Sequence, residues 1–278
     1  MNRIGILQGR LCPESVQKLQ VFPLSAWEEE CAWAESIGFD ALELLVTKES
    51  LPSHPLLSDS GRSRLKELSR NHRLGFPSIC GDLFKNRPFF RGPGAQQTES
   101  RNLLKRLIAA AAALRIQRIL IPILEEASLR SELERAEFGA AVRKFLPDTE
   151  HHGIQLALET DLSAPEAKQL LKEVSHPLVT IYYDVGNAAA LGRNPAQEIR
   201  FLGSAIAGVH IKDRLLGGPN VPLGTGRVNF SECFEALKEI GYEGPFVLET
   251  TPGKDPLSMA RRHLDFVREQ IGCMKSLH

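Results

Sequence analysis

Apolar and polar positions follow two alternating patterns along this chain. Short apolar runs of strand length, bounded by turn residues, are each followed by a longer stretch in which apolar positions recur with a helical period. The strand-like runs lie at residues 4–7, 41–45, 75–79, 119–121, 155–159, 179–184, 206–210 and 245–249. The predicted helices lie at residues 25–37, 60–72, 98–114, 129–151, 164–173, 195–202, 229–240 and 256–271.

Strictly alternating strands and helices are typical of a parallel α/β protein. We therefore predict one (β/α)8 barrel domain over residues 1–278, a length common for this architecture. An open doubly wound sheet is the runner-up. No Gly-x-Gly-x-x-Gly follows the first predicted strand, which disfavours that alternative.

Four of the later strand-like runs end in a side chain that can act in chemistry. These residues are Glu159, Asp184, His210 and Glu249. The intervals between them are about one βα unit long, and the last is lengthened by a glycine-rich loop. In a parallel barrel the four strand ends meet at one mouth, where active sites of this fold lie.

The side-chain parity of these strands agrees with this picture, because alternate residues of a strand face opposite sides. Glu159, Asp184, His210 and Glu249 all fall on the face that can point into the barrel, and Glu43 and Lys212 fall there by the same count. Any one acid could instead cap a helix or begin a turn. Together, three carboxylates at one place need a cation or protons to neutralise them, and a divalent metal is the simplest remedy.

Charge and composition narrow the classes of function. Lys and Arg total 34, as do Asp and Glu, so the net charge is zero and gives no basic field for nucleic acid. The five cysteines include no Cys-x-x-Cys pair, so we expect reduced thiols. The first residues lack the layout of a signal peptide and no apolar run approaches about 20 residues, so we expect a cytoplasmic protein without a membrane partner.

Several motifs resemble the xylose isomerase-like barrel superfamily, and its sugar-phosphate isomerase and epimerase branch in particular. They are Gly-Ile-Leu-Gln-Gly-Arg-Leu, Ala-Leu-Glu-Thr, Tyr-Tyr-Asp-Val-Gly-Asn, Val-His-Ile-Lys-Asp-Arg, Val-Pro-Leu-Gly-Thr-Gly-Arg-Val-Asn-Phe and Gly-Pro-Phe-Val-Leu-Glu-Thr. The resemblance implies that one divalent ion (Mn, Co, Mg or Zn) is held by Glu159, Asp184, His210 and Glu249. It also implies that Glu159 and Glu249 act as the acid–base pair.

The chain departs from the free-sugar epimerases of that family at two positions. Asn187 stands where they carry a histidine, and Leu216 stands where they carry an arginine. The His-Ile-Lys-Asp form is similar to the sugar-phosphate 3-epimerase and inosose dehydratase branches instead.

The function predicted is therefore a metal-dependent isomerase or epimerase of a small sugar or sugar phosphate, moving a proton through a metal-bound cis-enediolate. The substrate-binding residues expected are Lys212, Glu43, Asn187 and Arg227. The backbone of residues 224–227 is a candidate phosphate site or, equally, a tight turn. Residues 81–97 are expected to form a mobile lid.

Three alternatives remain open from the sequence. They are a lyase like inosose dehydratase, a nuclease like endonuclease IV, and a non-catalytic sugar-binding barrel. The nuclease needs further histidines for a three-metal cluster, and Asn187 stands where one of them belongs. Association into a homo-oligomer also remains open.

Overall fold

The computed structural model describes residues 2–273, and the side chain of Cys273 lies outside the described part. Within it, eight parallel strands close into a barrel in the order β1–β10–β7–β6–β5–β4–β3–β2, with β2 paired back to β1. Two further strands, β8 and β9, form a short antiparallel hairpin. The strands are Ile4–Leu7 (β1), Ala41–Leu45 (β2), Ile79–Cys80 (β3), Arg118–Ile123 (β4), Gln155–Thr160 (β5), Val179–Asp184 (β6), Ile206–Ile211 (β7), Asp213–Arg214 (β8), Asn220–Val221 (β9) and Phe246–Leu248 (β10).

The helices connect the strands and cover the outside of the barrel. They are Glu29–Ile37 (α1), Asp59–Asn71 (α2), Gly94–Leu114 (α3), Glu132–Arg143 (α4), Leu146–His152 (α5), Ala164–Val174 (α6), Val185–Ala190 (α7), Pro195–Leu202 (α8), Phe230–Glu239 (α9) and Pro256–Cys273 (α10). Among the described residues, no helix combines the length and apolar character that crossing a bilayer requires. The predicted (β/α)8 barrel is confirmed.

Two separate apolar cores follow from the alternation of side chains along the strands. Leu156 and Leu158 belong to the large core between barrel and helices, whereas Ala157 between them belongs to a small core inside the barrel. Gly208 of β7 leaves room for the Tyr182 ring in this inner layer, since a Cβ there would lie 2.4 Å from the ring. The inner layer consists of Leu7, Leu45, Cys80, Leu120, Ala157, Tyr182 and Val247.

Three predicted helix boundaries were wrong for identifiable reasons. The predicted helix 129–151 is two helices, because Pro147 lies in the first turn of α5, where its missing N–H is tolerated. The helix expected to begin at Thr98 already begins at Gly94, directly after Pro93. The first helix begins at Glu29 rather than at residue 25.

The remaining differences concern strand three and one short helix. Predicted strand 75–79 is reduced to Ile79–Cys80, with one isolated bridge from Gly75 to Ala41. Pro77 has no N–H to donate to a sheet ladder, so the ladder begins only after it. Helix α7, which follows β6 without a loop, was not predicted.

The segment 81–97, predicted to be a mobile lid, is packed against the helix layer at its middle, and its mobility stays a prediction. Phe89 and Phe90 are buried against Phe138 of α4, with ring centroids 6.1 and 5.1 Å from it. Arg91 forms an ion pair with Glu134 at 2.7 Å. Burying two aromatic rings anchors the middle of the segment to the helix layer.

The cysteines agree with the expectation of reduced thiols. Cys12, Cys31, Cys80 and Cys233 are buried and free. The fifth, Cys273, has a side chain that lies outside the described residues.

Candidate metal centre and active site

The four predicted ligands meet at the C-terminal mouth of the barrel. Glu159 lies near the end of β5, Asp184 ends β6, His210 lies near the end of β7, and Glu249 directly follows β10. Each residue offers one candidate ligand atom, and these four atoms lie within 4.8 Å of one another. All four residues are buried. The strand register accounts for part of this convergence, since Asp184 is paired with His210 and His210 with Val247.

Asp184 serves two purposes with its two oxygens. Oδ1 accepts a 2.8 Å hydrogen bond from the backbone N–H of Asn187 and so caps α7. Oδ2 is buried and forms an ion pair with Nζ of Lys212 at 2.7 Å. The helix-cap alternative raised from the sequence therefore holds for one oxygen, while the other faces the cluster.

His210 is oriented by Glu43 on β2. The imidazole Nε2 lies 2.7 Å from Oε2 of Glu43, and the other oxygen of Glu43 accepts a hydrogen bond from the hydroxyl of Ser78. With its Nε2 proton directed at a carboxylate, a neutral imidazole presents the lone pair of Nδ1 to the cluster. Glu43 is fully buried and is not among the residues that line the cavity, and its predicted role in substrate binding stays a prediction.

Glu249 is surrounded by cationic and amide groups. Oε1 accepts hydrogen bonds from Nε2 of Gln20 at 2.8 Å and from Nη2 of Arg10 at 3.3 Å, and Oε2 lies 3.1 Å from Nζ of Lys212. Burial raises the pKa of Glu249, but the positive charges of Lys212 and, next to it, Arg10 outweigh burial and hold that pKa well below its usual range. This carboxylate is therefore ionised at neutral pH.

Glu159 lies in a different environment. Its Oε1 accepts a 2.9 Å hydrogen bond from Nδ2 of Asn187. Burial and the negative charge of Glu249 raise the pKa of Glu159 to about 8. Two neighbouring carboxyl groups whose environments drive their pKa values apart are characteristic of acid–base sites.

The donor set fits a divalent cation. Nδ1 of His210 is buried 2.9 Å from Oε2 of Glu249, and the contact lacks the geometry of a hydrogen bond. Buried polar atoms without hydrogen bonds are rare in native proteins and call for a partner. One imidazole nitrogen and three carboxylates are donors that Mn, Co, Mg and Zn ions accept. Glu159, Asp184, His210 and Glu249 would hold such an ion.

Lys212 lies inside the cluster, as its parity predicted. Burial lowers the pKa of Lys212, but Asp184 and Glu249 raise it by more, so the ammonium stays charged. The ammonium forms ion pairs with Oδ2 of Asp184 at 2.7 Å and with Oε2 of Glu249 at 3.1 Å. Lys212 also lines the cavity, so contact with a substrate stays a prediction.

A cavity of about 310 Å³ opens above the cluster. Asn187 lines this cavity and donates a hydrogen bond to Glu159. Its predicted role in substrate binding stays a prediction. Several polar residues of this wall were not predicted, because they lie outside the barrel strands in segments without periodicity. They are Arg10, Gln20, Asp82, Lys85 and Arg214. Two of them, Arg10 and Arg214, lie within motifs that resemble the family, which was the signal available for them.

The glycine-rich loop after β7 is a clamped turn and not an anion site. The buried carboxylate of Asp213 accepts hydrogen bonds from the backbone N–H groups of Gly224, Gly226 and Val228, at 3.0, 2.8 and 3.1 Å. The N–H groups of residues 225 and 227 bond to backbone carbonyls. Because these N–H groups are all taken, the loop cannot cradle a phosphate. Arg227 is exposed and is not among the residues that line the cavity, and its predicted role in substrate binding stays a prediction.

Comparisons with known proteins found a matching family and similar proteins. A family described as xylose isomerase-like TIM barrel matches residues 31–270. The L-ribulose-5-phosphate 3-epimerase UlaE of Escherichia coli is 25% identical over 266 residues, covering 88% of this chain and 90% of that protein.

Solved structures show the same fold. An L-ribulose 3-epimerase superposes with a TM-score of 0.80 at 17% identity, covering 99% of this chain and 96% of that one. A D-allulose 3-epimerase from Methylomonas sp., solved with D-allulose, has a TM-score of 0.73 at 19% identity and covers 97% of this chain and 98% of that one.

Proposed function

The chain belongs to the xylose isomerase-like TIM barrel family, and from that premise we propose that it is a divalent-metal-dependent 3-epimerase of a ketose or ketose phosphate. The single observation that carries this proposal is the buried convergence of Glu159, Asp184, His210 and Glu249 within 4.8 Å. The predicted enzyme class, an isomerase, is confirmed by relatives that are named epimerases.

Glu159 and Glu249 supply the two carboxylates that epimerisation requires. One group must remove a proton from carbon, and the other must return a proton to the opposite face. Strands β6 and β7 lie between β5 and β10 in the barrel, so the two glutamates approach the cavity from different sides. A bound divalent ion would draw charge from neighbouring carbonyl and hydroxyl oxygens of the sugar and so lower the cost of removing the proton.

The other polar groups of the cavity hold the carboxylates and the substrate. Arg10 and Gln20 fix one oxygen of Glu249, which leaves Oε2 directed at the cluster. Lys212 extends its ammonium into the same space and can donate to a sugar oxygen, because an ammonium has three donors. Buried walls exclude water, which strengthens each of these interactions.

The nuclease alternative is disfavoured by the same cavity. Among the described residues that line it there is no histidine, whereas that mechanism needs additional histidines for further metal ions. The strands β3 and β4 bring Cys80 and Pro122 to the wall instead. That the protein takes a small sugar and not nucleic acid remains our proposal.

The experiment is an NMR assay. Purified protein is incubated with Mn²⁺ and each sugar in deuterated water, and a chelator then stops the reaction and removes the Mn²⁺ before measurement. L-Ribulose 5-phosphate, L-ribulose and D-allulose are the substrates to compare. A 3-epimerase yields the epimer with deuterium at carbon 3. Loss of water from the sugar would reveal a dehydratase, and unchanged sugar with saturable binding would reveal a non-catalytic barrel. Asp184→Asn serves as the matched inactive control.

A further inference from the structure

Arg214 differs from the other cations of the cavity wall. Arg10 pairs with Glu249, Lys85 with Asp82, and Lys212 with Asp184 and Glu249. Among the described residues, the guanidinium of Arg214 donates hydrogen bonds to neutral oxygens only. The carbonyl oxygen of Gly218 accepts from its Nε and Nη2 at 3.2 and 2.8 Å, and Oδ1 of Asn187 accepts from its Nη1 at 2.9 Å.

Asn187 is thereby held at both ends of its amide. Oδ1 accepts from Arg214, and Nδ2 donates to Oε1 of Glu159 at 2.9 Å. If the amide were turned over, its NH2 group would face the guanidinium and its oxygen would face the carboxylate, which sets donor against donor and acceptor against acceptor. Arg214 therefore selects the orientation in which Asn187 presents a donor to Glu159.

The support for Arg214 is rigid. The carboxylate of the adjacent Asp213 clamps the glycine-rich loop, as described above, and the backbone N–H of Gly217 donates to the carbonyl of Ala190 at 2.8 Å. That second bond ties the hairpin turn to the C-terminal end of α7, the helix that carries Asn187. The hairpin that carries Arg214 and the helix α7 that carries Asn187 are therefore also joined through their backbones.

We propose that Arg214 is a positioning residue that acts through Asn187 on Glu159, and this inference rests on the proposed function. The chain of two hydrogen bonds fixes one oxygen of Glu159 and leaves the other free for the ion and for the substrate proton. Loss of these two hydrogen bonds lets the carboxylate of Glu159 rotate. A misplaced catalytic group lowers kcat more than it weakens substrate binding.

The kinetic test uses L-ribulose 5-phosphate with Arg214→Met, Asn187→Ala and the double variant. Arg214→Met is expected to lower kcat about tenfold, the order of one hydrogen bond to a charged group, with KM within about twofold. The double variant should be no slower than Asn187→Ala, because Arg214 has no other route to Glu159. A rise in KM with unchanged kcat, or additive losses, would overturn the proposal by showing direct substrate contact.

The second readout needs no turnover. The side-chain NH2 signals of Asn187 are assigned in a ¹H–¹⁵N spectrum with Mg²⁺ alone, by their loss in Asn187→Ala. They should move in Arg214→Met and stay in place in Arg262→Met, which changes an exposed arginine of α10. Unmoved signals in Arg214→Met would refute the relay. If the protein epimerises none of the three sugars, the proposed function fails while these signals still decide the role of Arg214.

Asn187→Asp covers the case in which Arg214→Met does not fold. The aspartate still accepts from Arg214 but sets a carboxylate against Glu159, so a kcat at least tenfold lower is expected with the fold unchanged by circular dichroism. Full activity of a folded Asn187→Asp protein would contradict the relay.

Discussion

His210 and Glu43 are joined by a buried 2.7 Å contact across the barrel, although 167 residues separate them in the chain. The histidine comes from β7 and the glutamate from β2, two strands that are not neighbours in the sheet. A carboxylate behind a histidine fixes its tautomer and the direction of its free nitrogen. The candidate metal centre is therefore oriented by a residue that does not face the cavity.

Replacing Glu43 should weaken metal binding while leaving the four candidate ligands in place. We expect Glu43→Ala to lower the affinity for Mn²⁺ by about 10- to 100-fold, because the imidazole loses the acceptor that orients it. Glu43→Gln keeps an acceptor and should lose less. Isothermal titration calorimetry measures both, with circular dichroism as the control for folding. Equal affinities in wild type and Glu43→Ala would show that His210 needs no such support.

Asp184 and His210 should each be required for binding one divalent ion per chain. Asp184→Asn keeps an oxygen for the cap of α7 but removes the negative charge, and His210→Ala removes the only nitrogen donor of the set. Both should lose most of their Mn²⁺ affinity and keep the far-UV spectrum of the wild type. Full metal occupancy of the folded double variant, measured by elemental analysis, would exclude this site.

Glu159→Gln and Glu249→Gln should each abolish net epimerisation. A single remaining carboxylate can remove and return a proton on one face only, so one variant should still exchange one sugar hydrogen with deuterated solvent. Deuterium incorporation followed by NMR at saturating Mn²⁺ measures this exchange. An epimerase activity equal to wild type in either variant would leave a single-base mechanism or a purely metal-binding role for that residue.

Glu30 makes the stability of the fold depend on pH. Its buried carboxylate accepts from the backbone N–H groups of Gly9 and Leu11, and burial raises its pKa from 4.5 to about 7. A carboxyl whose pKa is raised by folding binds more protons in the folded state, so stability falls as pH rises from about 4.5 to about 7.

The variant Glu30→Gln should remove this dependence, since its amide oxygen still accepts the two bonds. Between about pH 5 and pH 8 the free energy of unfolding of the wild type should fall, relative to Glu30→Gln, by at most about 3 kcal/mol. Urea unfolding at several pH values measures the difference. Glu29→Gln, on the exposed side of the same helix, is the control, and parallel pH profiles for Glu30→Gln and wild type would refute the assignment.

The positions of the four candidate ligands were predictable because they depend on local rules. Strand parity and the common direction of parallel strands suffice to bring Glu159 and Asp184 to the same mouth. The partner of His210 was not predictable, because it depends on which side chains meet across the closed barrel. Strand parity predicted that Glu43 points into the barrel, but it could not predict that Glu43 lies behind His210.

Loops were the least predictable part for a different reason. The motif at residues 224–227 has the composition of an anion-binding turn, and only the carboxylate of Asp213 shows that its N–H groups are already used. Arg214 and Asn187 likewise lie on separate elements with no periodic signal connecting them. Phe89 packs against helices that follow it in the chain, which no local pattern encodes.

The inner apolar layer below the candidate ligands limits the routes by which a small molecule can enter and leave the site. Its members, from Leu7 on β1 to Val247 on β10, are almost completely inaccessible to solvent and fill the barrel beneath the candidate metal centre. A small molecule bound at this site must therefore enter and leave by the same opening, and a second molecule cannot bind before the first departs. Under the proposed epimerase function, each of the two epimers would then competitively inhibit the conversion of the other.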